Sequence, residues 1–299
     1  MKKCLALLPV IILFWIAGGV FIPVSYAQDE PVDFTLQQAQ MLLESLTPEE
    51  RVGQLFLVTF EGNQLDLDSD LVKLITEYHV GGVVFSADRA NYSDAQSLPA
   101  ALARTTNSLQ ELAILGRSSR LVSEELLAEL ADTIADEENG ELTLQSTTVV
   151  SRGVPIFIAT THGGGVHAEI LDGLTEIPNQ LAVGATWQPQ MAAATGRVLG
   201  IELNSLGFNL MFNPSLNVIE NPELLRGVNS DGLIDSYGGH AYWVGLFGKA
   251  FVNGVHTGSN GRIAVIGGNF PGNGSSDRPL NSEIATIRTT LSEMQKGSL

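Results

Sequence analysis

Cysteine is almost missing from this chain. The single thiol, Cys4, lies near the start, so the rest holds no disulfide and no cysteine ligand for a metal. Basic residues are also scarce. Sixteen Lys and Arg face 33 Asp and Glu, a formal charge of −17. Such a surface repels nucleic acid and anionic lipid, which excludes both as partners of the folded part. The histidines His79, His162, His167, His240 and His256 follow no spacing that suggests a metal site. Gly163-Gly164-Gly165 is not followed by the helix-opening Lys-Ser/Thr of a phosphate loop. No metal and no cofactor is expected.

What is present begins with an export signal. Lys2 and Lys3 precede an uncharged apolar run from residue 4 to about residue 24. Ser25-Tyr26-Ala27 then puts small residues at the −3 and −1 positions, which predicts cleavage before Gln28 and a secreted, extracytoplasmic protein. The run is also long enough to span a bilayer, so an uncleaved membrane anchor is the alternative. Residues 1–27 are read as a signal peptide, 28–45 as an N-terminal linker or helix, and 46–299 as one large domain.

Within that domain helices and strands alternate, the pattern of parallel βαβ units in an α/β protein. Thr47 reads as an N-cap, Pro48 as the first helical residue and Glu50 as the capping-box partner. Strands are expected at 54–59, 82–85, 155–159, 208–212 and 262–267. The first is a continuous apolar run, as expected of a strand buried on both faces. Leu71, Leu74 and Ile75 share a helix face, and Met191, Val198, Leu199 and Leu206 follow helical spacing until Gly207 stops it. A last helix is expected at 282–296. Residues 114–150 read as an insertion with a second helix and, at Asn139-Gly140, a hairpin turn.

Six segments occur in a recognisable order. Phe270-Pro271-Gly272 and Gly274, after the strand that ends at Gly267, resemble the K-H-F-P-G-H-G signature of family 3 glycoside hydrolases. In that frame Gly268, Asn269 and Asn273 replace the lysine and the two histidines. Val154-Pro155-Ile156-Phe157-Ile158-Ala159-Thr160-Thr161-His162-Gly163-Gly164-Gly165 resembles the family's strand ending in D-Q-E-G-G. Segments at 46–56, 80–85, 177–186 and 200–214 match in turn. The resemblance covers about residues 46 to 280 and implies a TIM (β/α)8 barrel of the β-N-acetylhexosaminidase-like kind. Only about five βα units are counted where the barrel has eight, so the chain is expected to be incomplete and prone to self-association.

The same resemblance assigns the site, which in such barrels lies at the C-terminal ends of the strands. A retaining glycosidase needs a nucleophilic carboxylate and a proton donor about 5 Å apart. The family's nucleophile would fall beyond Leu299. Asp277 stands where the aspartate of the acid/base loop is expected, with no histidine beside it. Sugar-binding positions fall on Thr161, His162, Asn217, Asn269, Asn273 and Arg226. Glu61 and His167 are weaker candidates. These positions imply a carbohydrate partner, an N-acetylglucosamine-containing glycan, and a glycosidase whose motifs are eroded enough that this chain alone is inactive. A non-catalytic glycan binder and a non-functional gene fragment are the alternatives.

Overall fold

The computed structural model describes residues 34–63, 69–92, 98–118, 153–219, 234–269, 272–274 and 290–292. The chain divides into two units, Met1–Gln40 and Met41–Leu299. The described part of the first is the opening of helix α1, Phe34–Glu44. The expected signal peptide, hairpin and last helix lie outside the described residues, apart from a short piece at 290–292.

Helix α2, Pro48–Gly53, starts as its sequence dictates. Thr47 Oγ1 accepts the Glu50 N–H at 3.2 Å, and the Glu50 carboxylate accepts the Thr47 N–H at 2.9 Å. Two orphan donors of the first turn are satisfied reciprocally. The turn then runs on. The N–H groups of Leu55 and Phe56 donate to Val52 and Gly53 carbonyls, so strand β1 is only Leu57–Thr59. This corrects the expectation of a strand from 54, buried on both faces. Leu55 is 82% and Phe56 57% exposed. The helix end captures the first half of the apolar run, and β1 is terminal in the described sheet, where only one neighbour covers it.

The remaining strands are β2 (Gly82–Phe85), β3 (Phe157–Thr160), β4 (Leu210–Met211) and β5 (Ala264–Val265). All pair in parallel, in the order β1-β2-β3-β4-β5, with Val84 opposite Ala159, Thr160 opposite Met211 and Met211 opposite Val265. Sequential neighbours joined by helical crossovers are the opening βα units of a TIM-like barrel. The two last strands are shorter than expected, but ladder bonds continue past them. Phe212 donates to the Thr160 carbonyl, and a bridge joins Ser215 to Gly268.

Helices α3 (Asp70–Thr76), α4 (Leu98–Ser118), α5 (Gln180–Ala185), α6 (Pro189–Ser205) and α7 (Ala241–Ser259), with two 3-10 turns at Ala87–Arg89 and Gly165–His167, complete the elements among the second unit's described residues. Leu71, Val72 and Ile75 are the buried side chains of α3. Helix α4 runs into the first residues of the insertion expected at 114–150. The core meets the sheet at Phe85, 1% exposed, which makes edge contacts with Phe60 at 5.0 Å and Phe208 at 5.3 Å. Such pairs add to the area they bury.

Helices α6 and α7 touch main chain to main chain. A methyl group on Gly200 would lie 2.4 Å from the Val255 carbonyl oxygen, and one on Gly254 would lie 2.2 Å from that of Ala193. Gly196 and Gly258 are equally tight. Four glycines therefore set the helix separation. At the end of α6, Gly207 takes φ +86°, and Thr106 Oγ1 donates to the Leu206 carbonyl, pinning the turn into β4.

Candidate functional site

A cavity of about 810 Å³ opens at the C-terminal ends of the strands. Asp88 reaches it from the turn after β2, and Thr161, His167 and Glu169 from the segment after β3. Asn213 and Asn217 reach it after β4, Asp235 from before α7, and Asn269 after β5. Parallel strands ending at one level bring these loops together, although residues 88 and 269 are far apart in the chain.

Amide side chains hold the loops. Asn91 accepts the Ser86 N–H at 2.8 Å and donates to the Phe60 and Gly62 carbonyls, joining the turns after β1 and β2. Gln180 accepts the Ser215 N–H at 2.9 Å and donates to the Ser215 carbonyl at 3.0 Å, as a strand neighbour would. Asn213 Oδ1 accepts the His162 N–H at 2.7 Å. Buried main-chain groups outside regular structure need such partners.

The expected sugar-binding residues divide into groups. Thr161, Asn217 and Asn269 line the cavity. Asn217 and Asn273 come together, because Asn217 Oδ1 accepts the Asn273 N–H at 2.7 Å. Part of the Asn217 amide is thus committed to its neighbour loop. His162 points away from the cavity. It is 2% exposed, and its Nδ1 accepts the Ile170 N–H at 3.5 Å. Just past the end of β3, Thr161 lines the cavity while the next residue, His162, enters the core. Burial lowers the His162 pKa to about 4, with the Glu202 charge acting weakly against it. Glu61 is not on the wall; it pairs with Arg89 at the surface. Arg226 and Asp277 lie outside the described residues.

The glycines of the motifs have packing reasons. A methyl group on Gly274 would sit on the Val218 main chain, and one on Gly164 would strike the Pro178 carbonyl oxygen at 2.7 Å. Of Gly163-Gly164-Gly165 only Gly163 lines the cavity. There it leaves room for His167 and Asp235.

Those two residues, with Glu169 and Asp88, supply the charge of the wall. His167 Nε2 stands 3.9 Å from Asp235 Oδ1. Glu169 accepts the Ala87 N–H. Burial pushes the Glu169 carboxyl above the ordinary carboxylate range and Asp88 adds to this, while the Ala87 N–H and His167 pull it back. Asp88, Glu169 and Asp235 join the wall without standing in any of the motifs. The only signal for them is that each lies shortly after an expected strand or before a helix on the same face. Among the described residues no group of three His, Cys, Asp or Glu side chains is placed to hold a metal ion. The wall offers neutral amide and hydroxyl groups with a few carboxylates, a set suited to hydroxyls and amides rather than to anions.

The comparisons agree with this architecture. A β-hexosaminidase of Bordetella avium is 31% identical over 171 residues, 54% of this chain and 45% of its own. The chain therefore spans less than half the length of that relative. Among solved structures, a family 3 β-N-acetylglucosaminidase from a Paenibacillus species superposes with a TM-score of 0.64 at 28% identity, over 85% of this chain and 39% of that one. A β-N-acetylhexosaminidase from Beutenbergia cavernae gives 0.56 at 25% identity, over 78% and 56%. Residues 47–299 match the glycosyl hydrolase family 3 N terminal domain, and the chain belongs to that family.

Proposed function

We propose that this chain is an exported, β-N-acetylhexosaminidase-like member of its family that holds an N-acetylglucosamine-type sugar in the cavity and does not cleave it unaided. One observation carries the reading. At three strand-end positions where the resemblance expects charged catalytic and binding groups, the cavity wall presents Thr161, Asn217 and Asn269, while its ionisable groups, Asp88, His167, Glu169 and Asp235, stand at other positions. Neutral amides and hydroxyls still bind sugar hydroxyls, with bonds roughly half as strong as charge-assisted ones. They cannot supply a nucleophile or a proton donor. General acid–base help contributes about 10²–10⁴-fold, and its loss leaves turnover at background.

Calorimetric titration with N-acetylglucosamine, beside a hydrolysis assay on an aryl N-acetyl-β-glucosaminide, tests both halves. Saturable binding without turnover is expected. Absence of binding, or weakening in none of Thr161→Ala, Asn217→Ala and Asn269→Ala, refutes the site. A second reading, an active hydrolase with its proton donor moved to Glu169, is favoured by the raised Glu169 carboxyl and the adjacent His167–Asp235 pair. Turnover that disappears in Glu169→Gln selects it. Export is supported by the apolar run at residues 4–24 and by Ser25-Tyr26-Ala27. Amino-terminal sequencing of the mature protein is expected to begin at Gln28.

A further inference from the structure

We infer that Trp187, Trp243 and Tyr242 form an aromatic platform on the rim of the strand-end face, binding the outer sugars of an extended β-linked N-acetylglucosamine chain. This rests on the reading that the cavity holds a sugar. In parallel βα units the helices run back from the strand ends, so helix N-termini lie on the face where the cavity opens. Trp187 stands just before Pro189, the first residue of α6, and Tyr242 and Trp243 lie in the first turn of α7.

The rings run from the core, two residues from the cavity wall, to the surface. Asp235 lines the cavity, and Tyr237, two residues on, stacks on Phe247 at 5.3 Å. Phe247 meets Trp243 at 6.4 Å. Trp243 makes edge contacts with Trp187 at 5.1 Å and with Tyr242 at 5.4 Å. The outer two rings are therefore fixed in plane by a core-anchored partner. Yet Trp187 is 65% and Tyr242 64% exposed. Burial does not explain them.

The backbone at Trp187 is informative too. Its φ is +55°, a left-handed conformation that a side-chain-bearing residue adopts at some cost. The Trp187 N–H closes a turn onto the Gly184 carbonyl, so the ring is held outward by a set turn. Of the chain's three tryptophans, Trp15 lies in the expected signal peptide, and the other two are both in this patch.

A flat ring face attracts the C–H face of a pyranose, whose edge hydroxyls need polar neighbours. Gln188 and the Nε2 side of His240, both exposed, stand beside the rings to supply them, while His240 Nδ1 accepts the Tyr242 N–H. Single-stranded nucleic acid also stacks on aromatic rings, but the charge of −17 repels its phosphates.

The test compares N-acetylglucosamine with its β-1,4-linked hexamer on the full-length chain, by calorimetry and by tryptophan fluorescence. The hexamer is expected to bind more tightly than the monomer, by about 2- to 12-fold for each ring engaged, and to shift the fluorescence. Tyr242→Ala and Trp187→Gly, the latter suited to a positive φ, lose this gain and keep the monomer affinity. Thermal melts establish that both variants fold. A hexamer that binds no better than the monomer, or a gain intact in both folded variants, overturns the platform and leaves the cavity reading standing. No binding of either sugar overturns both. Hexamer binding that depends on these rings, without monomer binding, keeps the platform and removes the cavity. A dimer dispersed by Tyr242→Ala assigns the patch to self-contact and overturns the proposal.

Discussion

His162 carries its imidazole neutral inside the barrel wall. In the unfolded chain such a ring takes up a proton near pH 6.5, whereas in the fold it resists until about pH 4. Between these values the unfolded chain binds more protons. The stability due to the neutral ring is therefore complete above about pH 6.5 and is lost as the pH falls through about 4. The loss is about 3 kcal/mol, a large part of a domain's roughly 5–15 kcal/mol. Urea melts at pH 7 and pH 4.5 are expected to show this drop in the native chain and a much smaller one in His162→Gln. Glu169 acts in the opposite sense. Burial raises its carboxyl, so it withdraws stability as the pH rises above the ordinary carboxylate range. Measuring Glu169→Gln in parallel separates the two slopes. Thr161 and His162 are neighbours in the same motif; the fold gives one to the cavity and the other to the core.

Among the elements, α6 and α7 are the pair most sensitive to a single methyl group. Glycine in a helix interior is ordinarily a weakness, and Gly→Ala there gains up to about 1 kcal/mol. At Gly200 and Gly254 the added carbon would press into a facing carbonyl at 2.4 and 2.2 Å. Overpacking of that kind costs about 1–3 kcal/mol and wins. Gly200→Ala and Gly254→Ala are each expected to lower the melting temperature, whereas Gly245→Ala, on α7 with open space around it, raises it slightly. Equal shifts in all three would refute the close contact. The sequence shows α6 as a helix from its apolar spacing, ended by Gly207. It does not show the contact, because a helix glycine that weakens and one that admits a neighbouring backbone are the same letter. The first strand is shorter than its apolar run for a related reason. An apolar run at residues 54–59 satisfies both a buried strand and a helix end followed by a strand, and the main-chain bonds back to α2 decide between them.

On the scale of the whole molecule, apolar surface gathers beside β1. Val52, Leu55, Phe56 and Tyr78 are 56%, 82%, 57% and 65% exposed. Beside them lies an apolar cleft of about 660 Å³. A terminal strand with apolar neighbours recruits other chains. Residues 28–299 expressed alone are expected to self-associate, with an elution volume in size exclusion that depends on concentration. A monodisperse monomer at all concentrations, melting in one transition, would refute this.

Local chemistry in the sequence determined a good deal. The capping box at Thr47 and Glu50, the presence and order of five strands, the helix up to Gly207 and the family itself follow from contacts within a few residues or from motifs read along the chain. The cavity wall is different. Asp88, Glu169 and Asp235 come from three separate segments, and only their places beside expected strands or a helix hint at them. They meet because parallel strands in sequence order end at one level and the loops above them converge. Which face each side chain takes, and how burial then moves Glu169 and His162 in opposite senses, depends on neighbours distant in the chain, and so only the tertiary structure decided it.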